Sequence, residues 1–294
     1  MITNAFKKYA FFVIFICISG IYPQESFSQN TDPGAQTTGP EKGALVIVGG
    51  GATELIINKF LELAGGLDAP IVIIPTAGGR DTYGKNAANM GLFRKLGAKN
   101  ITMLHTSDKH IANSDSFVAP LLKAKGVWFG GGRQWRLVDA YKDTKTEQMF
   151  WKVLNKGGVI GGSSAGATIQ GSYLARGDTK NNQIMSGDHE EGFGFIKNIA
   201  IDQHVLARNR QFDMFDILKK RPELLGISVD EQTAAIVKGN IFEVIGQSYV
   251  IIYDGSFWSG EGWDMKNLPD KDKLFYFLQN GDRYDMLNRR VIEK

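Results

Sequence analysis

The stretch Val159-Ile160-Gly161-Gly162-Ser163-Ser164-Ala165-Gly166-Ala167-Thr168-Ile169 decides the fold of this chain. Its apolar start predicts the end of a buried strand, and its last five residues are compatible with a helix. The Gly-x-Ser-x-Gly pattern between them is typical of a nucleophile elbow, where flanking glycines permit a sharp turn that exposes the hydroxyl of Ser164. The pattern alone fits equally well a glycine-rich turn in which Ser164 only caps the helix.

On both sides of this elbow, apolar runs of strand length alternate with amphipathic stretches of helix length. Because the runs are continuous and not alternating, they predict strands buried on both faces of a parallel sheet. We therefore expect an α/β fold, a three-layer sandwich with a mostly parallel central sheet. The predicted strands are Ala44–Val48, Ile71–Ile74, Ile101–Leu104, Val127–Phe129, Val159–Ile160, Ile227–Val229, Ala234–Val237 and Tyr249–Ile252. The predicted helices are Glu54–Ala64, Gly84–Leu96 and Trp135–Leu154.

The N-terminus resembles an export signal. Two lysines precede an apolar run of about a dozen residues, shorter than the roughly 20 that cross a bilayer. We predict a signal peptide over residues 1–28, a flexible linker over 29–42, one hydrolytic domain over 43–294, and a secreted or periplasmic protein. An uncleaved anchor and a lipid anchor on Cys17 are the alternatives. Cys17 is the only cysteine, so the mature chain has no disulfide and no thiol nucleophile.

The formal net charge is only +3, and the basic residues form no aromatic-interleaved stripe. The chain is therefore not expected to bind nucleic acid. Contact with a membrane is expected only through an uncleaved signal segment. The sequence leaves open whether the chain forms a homodimer.

A hydroxyl nucleophile needs a base, and the chain has four histidines. His204 follows a strand-like run, where a sheet delivers side chains to its carboxyl edge, whereas His189 lies in a polar loop and is the weaker candidate. Glu231, at the end of another short apolar run, is the preferred orienting acid. Asp230 and Asp202 remain open for the same role, since the pattern alone does not separate them.

Backbone amides are the expected oxyanion donors. Ala165 follows the nucleophile and supplies one amide, and Gly132, in the glycine loop after Val127–Phe129, supplies the second. No metal is expected. The acidic run Asp188–Glu191 contains His189, but adjacent residues cannot all face one ion and no second histidine lies at ligand spacing.

Four motifs in this order and spacing resemble those of the cyanophycinase family of serine peptidases, which is related to dipeptidase E. They are Gly130–Gln134, Gly161–Ala167, Asp202–His204 and Gly226–Glu231.

The resemblance covers roughly residues 43–254. It implies a class I glutamine-amidotransferase-like (flavodoxin-like) fold, a triad of Ser164, His204 and Glu231, and no cofactor. It also implies hydrolysis of β-linked aspartyl peptides such as cyanophycin. It places Gln134 and Gln203 near the substrate, and Asp202, Arg208 and Arg210 are further candidate substrate-binding residues.

The chain departs from the family where the substrate would bind. The segment after the histidine typically carries three arginines, and here Arg208 and Arg210 are present whereas the third position is Asp213. The two arginines could bind a substrate carboxylate through their forked donors, and surface ion pairs are the alternative. The reaction type is therefore predicted more firmly than the substrate.

Other functions fit the sequence less well. An esterase of the α/β-hydrolase type needs its acid between the serine and the histidine, such as Asp178 or Asp188. A dinucleotide site at Gly49–Gly51 fails because Glu54 occupies the third glycine position of the fingerprint. An α-aspartyl dipeptidase of the dipeptidase E type and a non-catalytic binding protein on the same fold remain as alternatives.

Overall fold

A computed structural model describes residues 36–259 and 268–293 of the 294-residue chain. It confirms an α/β fold class, with two sheets instead of one. The first sheet contains β1 (Ala44–Val48), β2 (Ile71–Ile74), β3 (Ile101–Met103), β4 (Gly126–Phe129), β5 (Val159–Ser163), β9 (Thr233–Lys238), β10 (Ile241–Gly246), β13 (Arg283–Asp285) and β14 (Arg290–Ile292). The second contains β6 (Gly171–Tyr173), β7 (Ile196–Gln203), β8 (Leu225–Val229), β11 (Val250–Tyr253) and β12 (Tyr276–Leu278).

The first sheet has the strand order β14-β13-β10-β9-β1-β5-β4-β2-β3. Its five strands from β1 to β3 in this order are parallel, as the buried apolar runs predicted, whereas β9, β10, β13 and β14 extend it as an antiparallel meander. Strand β1 lies between the two halves. All parallel carboxyl ends therefore meet at one edge, where ligands bind in open α/β sheets.

The second sheet has the order β12-β11-β8-β7-β6, and its β6, β7 and β8 are parallel. The chain leaves the first sheet at β5, turns through a short helix and enters the second sheet at β6. The elbow at Ser164 is therefore the point where the chain changes sheets.

The helices are α1 (Glu54–Ala64), α2 (Met90–Lys95), α3 (Lys109–Ala112), α4 (Asp115–Val118), α5 (Trp135–Tyr141), α6 (Lys145–Asn155), α7 (Ala165–Thr168) and α8 (Met214–Leu218). Short 3-10 turns cover Thr76–Gly78, Ala119–Leu122 and Lys271–Lys273.

Two predicted helices differ from the structure. The helix expected over Gly84–Leu96 is only α2, because Ala88 and Asn89 have positive φ values of 50° and 68° that end any helical path before Met90.

The helix expected over Trp135–Leu154 is divided into α5 and α6. Asp143 has a φ of 62° and breaks the helix. Thr144 then caps α6 by accepting the amide of Glu147, while the carboxylate of Glu147 accepts the amide of Asp143 at 2.7 Å. This reciprocal pattern is close to a capping box and starts a new helix.

The first sheet has an apolar core on each face. On one face Trp128 of β4 packs edge-on against Phe60 of α1 and Phe93 of α2, with ring centroids 5.2 and 5.4 Å away. The other face, with α5 and α6, shares its core with the second sheet. Burial of this kind contributes about 25 cal/mol per Å² of apolar surface, so packing holds the sheets and helices together without any disulfide.

The folded part begins before Gly43, where the sequence placed the domain boundary. Thr37 is fully buried and donates to the carbonyl of Asn198, and Thr38 forms a bridge with Lys197. The predicted signal peptide over 1–28 lies outside the described residues. Among the helices of the described ranges, none combines the length and apolar character needed to cross a membrane.

Candidate functional site

Ser164 occupies a strained turn at the end of β5. Its φ of 59° and ψ of −116° are unusual for a residue other than glycine, and strain of this kind collects at functional sites. A Cβ on Gly162 would lie 2.3 Å from the carbonyl oxygen of Gly166, so the elbow needs glycine for close approach. Ser163 and Ala165 are buried, whereas Ser164 is partly exposed.

A row of hydrogen bonds connects Ser164 to His204 and Glu231. The Oγ of Ser164 is 2.9 Å from Nε2 of His204, and Nδ1 of His204 is 2.6 Å from Oε1 of Glu231. A carboxylate only accepts hydrogen bonds, so Nδ1 carries the proton and Nε2 is free to accept the proton of the serine hydroxyl. This is the geometry of a nucleophile, a general base and an orienting acid.

Backbone bonds from the end of β1 hold these three segments together. The carbonyl of Val48 accepts the amide of Ser164 at 2.9 Å, and the carbonyl of Gly49 accepts the amide of His204 at 3.2 Å. The carbonyl of Gly50 accepts the amide of Gln232, next to Glu231, at 2.7 Å.

In the sequence, Gly49–Gly51 was considered only as a dinucleotide-binding loop. Its role in holding the triad segments together was not predicted. A Cβ on Gly50 would lie 2.4 Å from Cε1 of His204 and 3.1 Å from Cγ of Glu231. The glycine is therefore required because the triad side chains lie directly on this backbone.

The environment of His204 favours its neutral form. Burial lowers the pKa of His204, and the nearby cations of Arg208 and Arg210 lower it further, although Glu231 raises it. A neutral imidazole is the form that can accept the proton of Ser164.

Two backbone segments meet at Ser164. The amide of Ala165 is the first of α7 and so has no acceptor inside that helix. The loop Gly130–Gly132 passes over Ser164, since a Cβ on Gly131 would lie 3.3 Å from Cβ of Ser164. Gly132 has a φ of 143°, which favours glycine. The predicted oxyanion donors, Gly132 and Ala165, therefore lie on the two segments that meet at Ser164, and their oxyanion role stays a prediction.

Asp230, which the sequence left open as the acid, has a different environment. One oxygen accepts the amides of Leu206 and Ala207, each at 3.0 Å, and the other accepts the hydroxyl of Ser248 at 2.6 Å. Asp230 thus fixes the loop after His204, whereas Glu231 contacts the imidazole itself.

A buried arginine that the sequence did not single out organises the neighbouring polar residues. Both Arg176 and Asp202 are fully buried, and Arg176 binds the two oxygens of Asp202 at 2.7 and 2.9 Å. It also binds Asp213 at 2.5 Å and the carbonyl of Asn182 at 3.0 Å. Asp202 was expected at the substrate, but its carboxylate is buried and paired with Arg176.

The remaining predicted binding residues divide into buried and exposed groups. Gln134 is buried and donates to the carbonyls of Ala175 and Arg176 at 2.6 and 2.9 Å, so it supports this segment. Gln203 is buried and accepts Arg210 at 3.3 Å. Arg208 is exposed.

The other histidines lie elsewhere. His189 contacts Asp139 and Asp188 at 2.9 and 3.1 Å, and these bonds and charges raise its pKa despite the opposing effect of partial burial. His110 is exposed on α3. Within residues 36–259 and 268–293, no cluster of His, Cys, Asp and Glu side chains is arranged to hold a metal ion.

Comparison with known proteins shows the family of the chain. The family model "Peptidase family S51" matches residues 45–245. A cyanophycinase from Geminocystis herdmanii is 30% identical over 258 residues, which cover 83% of this chain and 94% of that protein. A cyanophycinase from Synechococcus elongatus is 27% identical over 280 residues, covering 90% and 86% of the two chains.

The crystal structure of a peptidase from an acI-B1 Actinobacterium superposes with a TM-score of 0.59 at 23% identity, over 84% of this chain and 98% of that one, and supports the fold. The fold and site define a serine peptidase of the α/β class. The chain belongs to peptidase family S51.

Proposed function

We propose that this serine peptidase hydrolyses peptides with β-aspartyl linkages, as a cyanophycinase-type enzyme that forms an acyl-enzyme on Ser164. The observation that carries the mechanism is the row of hydrogen bonds from Ser164 through His204 to Glu231. The names of the relatives from Geminocystis herdmanii and Synechococcus elongatus support the substrate class.

In the first step Nε2 of His204 takes the proton of Ser164 as the hydroxyl oxygen attacks the scissile carbonyl carbon. The carbonyl oxygen becomes an oxyanion and accepts the amides of Gly132 and Ala165. Glu231 stabilises the imidazolium through the proton on Nδ1. Each oxyanion donor of this kind contributes about 10²- to 10³-fold to the rate in serine peptidases.

In the second step the imidazolium of His204 protonates the leaving amine and the C–N bond breaks. A water molecule then attacks the acyl-enzyme, with His204 as base, and restores the hydroxyl of Ser164. The products are one free carboxylate and one free amine, so the reaction needs only water as co-reactant.

The environment of Arg210 favours a substrate that carries a carboxylate close to the scissile amide. Its side chain is 3% exposed, and burial lowers its pKa. It contacts Gln203 but forms no ion pair with any carboxylate of residues 36–259 and 268–293. A buried, unpaired cation is costly. An aspartyl residue linked through its β-carboxyl keeps its own α-carboxylate a few bonds from the scissile amide, and that group would complete the pairing.

Asp213 distinguishes the binding region of this chain from that of the family. It stands where the family typically has a third arginine, and its carboxylate pairs with Arg176. Recognition of a substrate carboxylate therefore depends on Arg210 from within the buried part and on Arg208 from the exposed loop.

Two measurements test the proposal. A fluorophosphonate probe should label Ser164 in the wild type and in Ser163→Ala, which changes the buried neighbour, but not in Ser164→Ala. An unlabelled Ser164 in folded wild-type protein would refute the mechanism.

Incubation with cyanophycin, β-Asp-Arg, α-Asp dipeptides and a simple ester, with product masses read by mass spectrometry, separates the substrate classes and shows which amide is cut. Turnover of α-Asp dipeptides alone would instead favour a dipeptidase E type of activity, and turnover of the ester alone would favour an esterase. Tight binding without turnover of any of them would favour a non-catalytic protein.

We also propose export to the periplasm or medium with cleavage after Ser28. The mass of the mature protein recovered from those fractions tests this, since it should lack residues 1–28.

A further inference from the structure

A row of hydrogen-bonded side chains lies behind the glycine loop that carries Gly132. The hydroxyl of Thr76, which is buried, lies 2.9 Å from Nδ1 of His105 and 2.6 Å from the hydroxyl of Tyr141. The hydroxyl of Tyr141 also accepts the amide of Thr106 at 3.3 Å. His105 is therefore joined to the strand ends of the first sheet, away from the triad.

The direction of these bonds depends on which ring nitrogen of His105 carries the proton. Burial raises the pKa of Tyr141 to about 12, so its hydroxyl keeps its proton and can donate to Thr76. With Tyr141 as the donor, Thr76 donates to an unprotonated Nδ1 of His105. Partial burial lowers the pKa of His105, although a bond to the backbone of Arg80 and the charge of Asp81 raise it.

This row fixes the turn that supports Gly132. Thr76 starts the 3-10 turn Thr76–Gly78, and the next carbonyl, that of Ala77, accepts the amide of Arg133 at 2.8 Å and Nη1 of Arg136 at 3.1 Å. A Cβ on Gly132 would lie 2.0 Å from the same carbonyl oxygen. The carbonyl of Ala77 thus sets the position of the loop that passes over Ser164.

Packing and hydrogen bonds both hold this turn. Thr76 and Ala77 are buried, and Ala77 belongs to the apolar core. A cavity of about 260 Å³ borders the turn on one side, lined by Thr76, His105, Trp135 and Arg136 among others. Because packing is open on that side, the directional bonds of Thr76 contribute to the exact position of the turn.

We propose that His105 and Thr76 are positioning residues that hold the amide of Gly132 where the oxyanion forms. They act through the carbonyl of Ala77 and do not touch the substrate. The inference rests on the proposed function, because it presupposes the oxyanion role of Gly132. Loss of the hydrogen bond between Thr76 and His105 should therefore weaken binding of the transition state more than binding of the substrate.

Two matched pairs of variants test this role. Thr76→Val removes the hydroxyl and Thr76→Ser keeps it. His105→Phe keeps a ring against Tyr83, whose centroid is 4.8 Å away, but removes the acceptor, whereas His105→Asn offers an oxygen close to the position of Nδ1.

For Thr76→Val and His105→Phe we expect kcat to fall by about tenfold, less than the loss of a whole oxyanion donor, with KM within about twofold of wild type. The affinity of these two variants for a peptide boronate, which forms a tetrahedral adduct, should fall together with kcat. Thr76→Ser and His105→Asn should retain most of the wild-type kcat and most of the affinity for the boronate.

The rate of labelling by a fluorophosphonate, whose oxygen also enters the oxyanion hole, gives a readout without any peptide substrate. Slower labelling of Thr76→Val and His105→Phe at an unchanged Tm supports the inference. Wild-type labelling rates in Thr76→Val and His105→Phe overturn the inference. It is also overturned if the labelling rates of Thr76→Ser and His105→Asn fall as much as those of Thr76→Val and His105→Phe. If Thr76→Val does not fold, the His105 pair decides. Rapid labelling of a wild type that cleaves no peptide refutes the proposed substrate and leaves this inference standing.

Discussion

Replacement of Gly50 by alanine should impair catalysis by displacing the histidine of the triad. The new Cβ would lie 2.4 Å from Cε1 and 2.5 Å from Nδ1 of His204, whereas ordinary contacts begin near 3.4 Å. The imidazole must therefore retreat by about 1 Å, and its 2.9 Å bond to Ser164 would exceed hydrogen-bonding reach. A misplacement of about 1 Å costs on the order of 10²-fold in rate.

We expect kcat/KM to fall by about 10²-fold, which corresponds to about 2.7 kcal/mol of transition-state stabilisation. The φ of Gly50 is not in the left-handed region, so alanine adds no backbone strain. The assay is steady-state hydrolysis of the preferred peptide, with Tm as a check on folding. Gly84→Ala is the matched control, because nothing lies within 4 Å of its Cβ and its φ is also ordinary. Wild-type activity of folded Gly50→Ala would refute this account of the triad.

Three further predictions concern the acid, the pH profile and the buried ion pair. Glu231→Gln should lower kcat by about 10³- to 10⁴-fold because it removes the group that orients the base, whereas Asp230→Asn should mainly lower Tm. The acidic limb of kcat/KM against pH should lie below 6.5, since catalysis needs neutral His204 and its pKa is lowered by burial and by Arg208. Arg208→Gln should raise that pKa, so activity is lost at a higher pH as the solution is acidified. Asp202→Asn should lower the free energy of unfolding in urea by about 3 kcal/mol, because it removes the fully buried counter-ion of Arg176 and leaves only the partly exposed Asp213 to pair with it.

Each of these predictions has a contrary outcome. A near-normal kcat in Glu231→Gln together with an inactive Asp230→Asn would exchange the roles of the two acids. An acidic limb that does not move in Arg208→Gln, relative to the charge-conserving Arg208→Lys, would exclude a field effect on His204. An unchanged urea midpoint for Asp202→Asn would mean that water or another acceptor compensates the arginine.

The strands of the parallel sheet were predictable because burial on both faces demands continuous apolar runs. Strands β1 and β2 begin and end at the predicted residues, and β5 continues into the elbow. The predicted Trp135–Leu154 helix was too long, because the periodicity of α5 and α6 continues across a break of three non-helical residues, Lys142, Asp143 and Thr144. The sequence predicted no strand after Ile252, since the three-residue strands β12 and β13 depend on pairing with β11 and β10, and β14 depends on β13.

The sequence by itself determined the elbow at Ser164 and an order of serine, histidine and acid, because each lies at the end of a short apolar run whose direction is readable locally. The sequence preferred Glu231 as the acid but left Asp230 and Asp202 open, and only the tertiary structure separated the three, since nearby carboxylates look alike until their partners are known. Glu231 contacts His204, whereas Asp202 is buried against Arg176. It also showed that Gly50 lies against the triad. These contacts join different elements of the fold, at a sequence separation of 27 residues for His204 and Glu231 and 26 for Arg176 and Asp202. Packing decides which group pairs with a buried charge and which atom lies against a glycine, and the local sequence carries no signal of either.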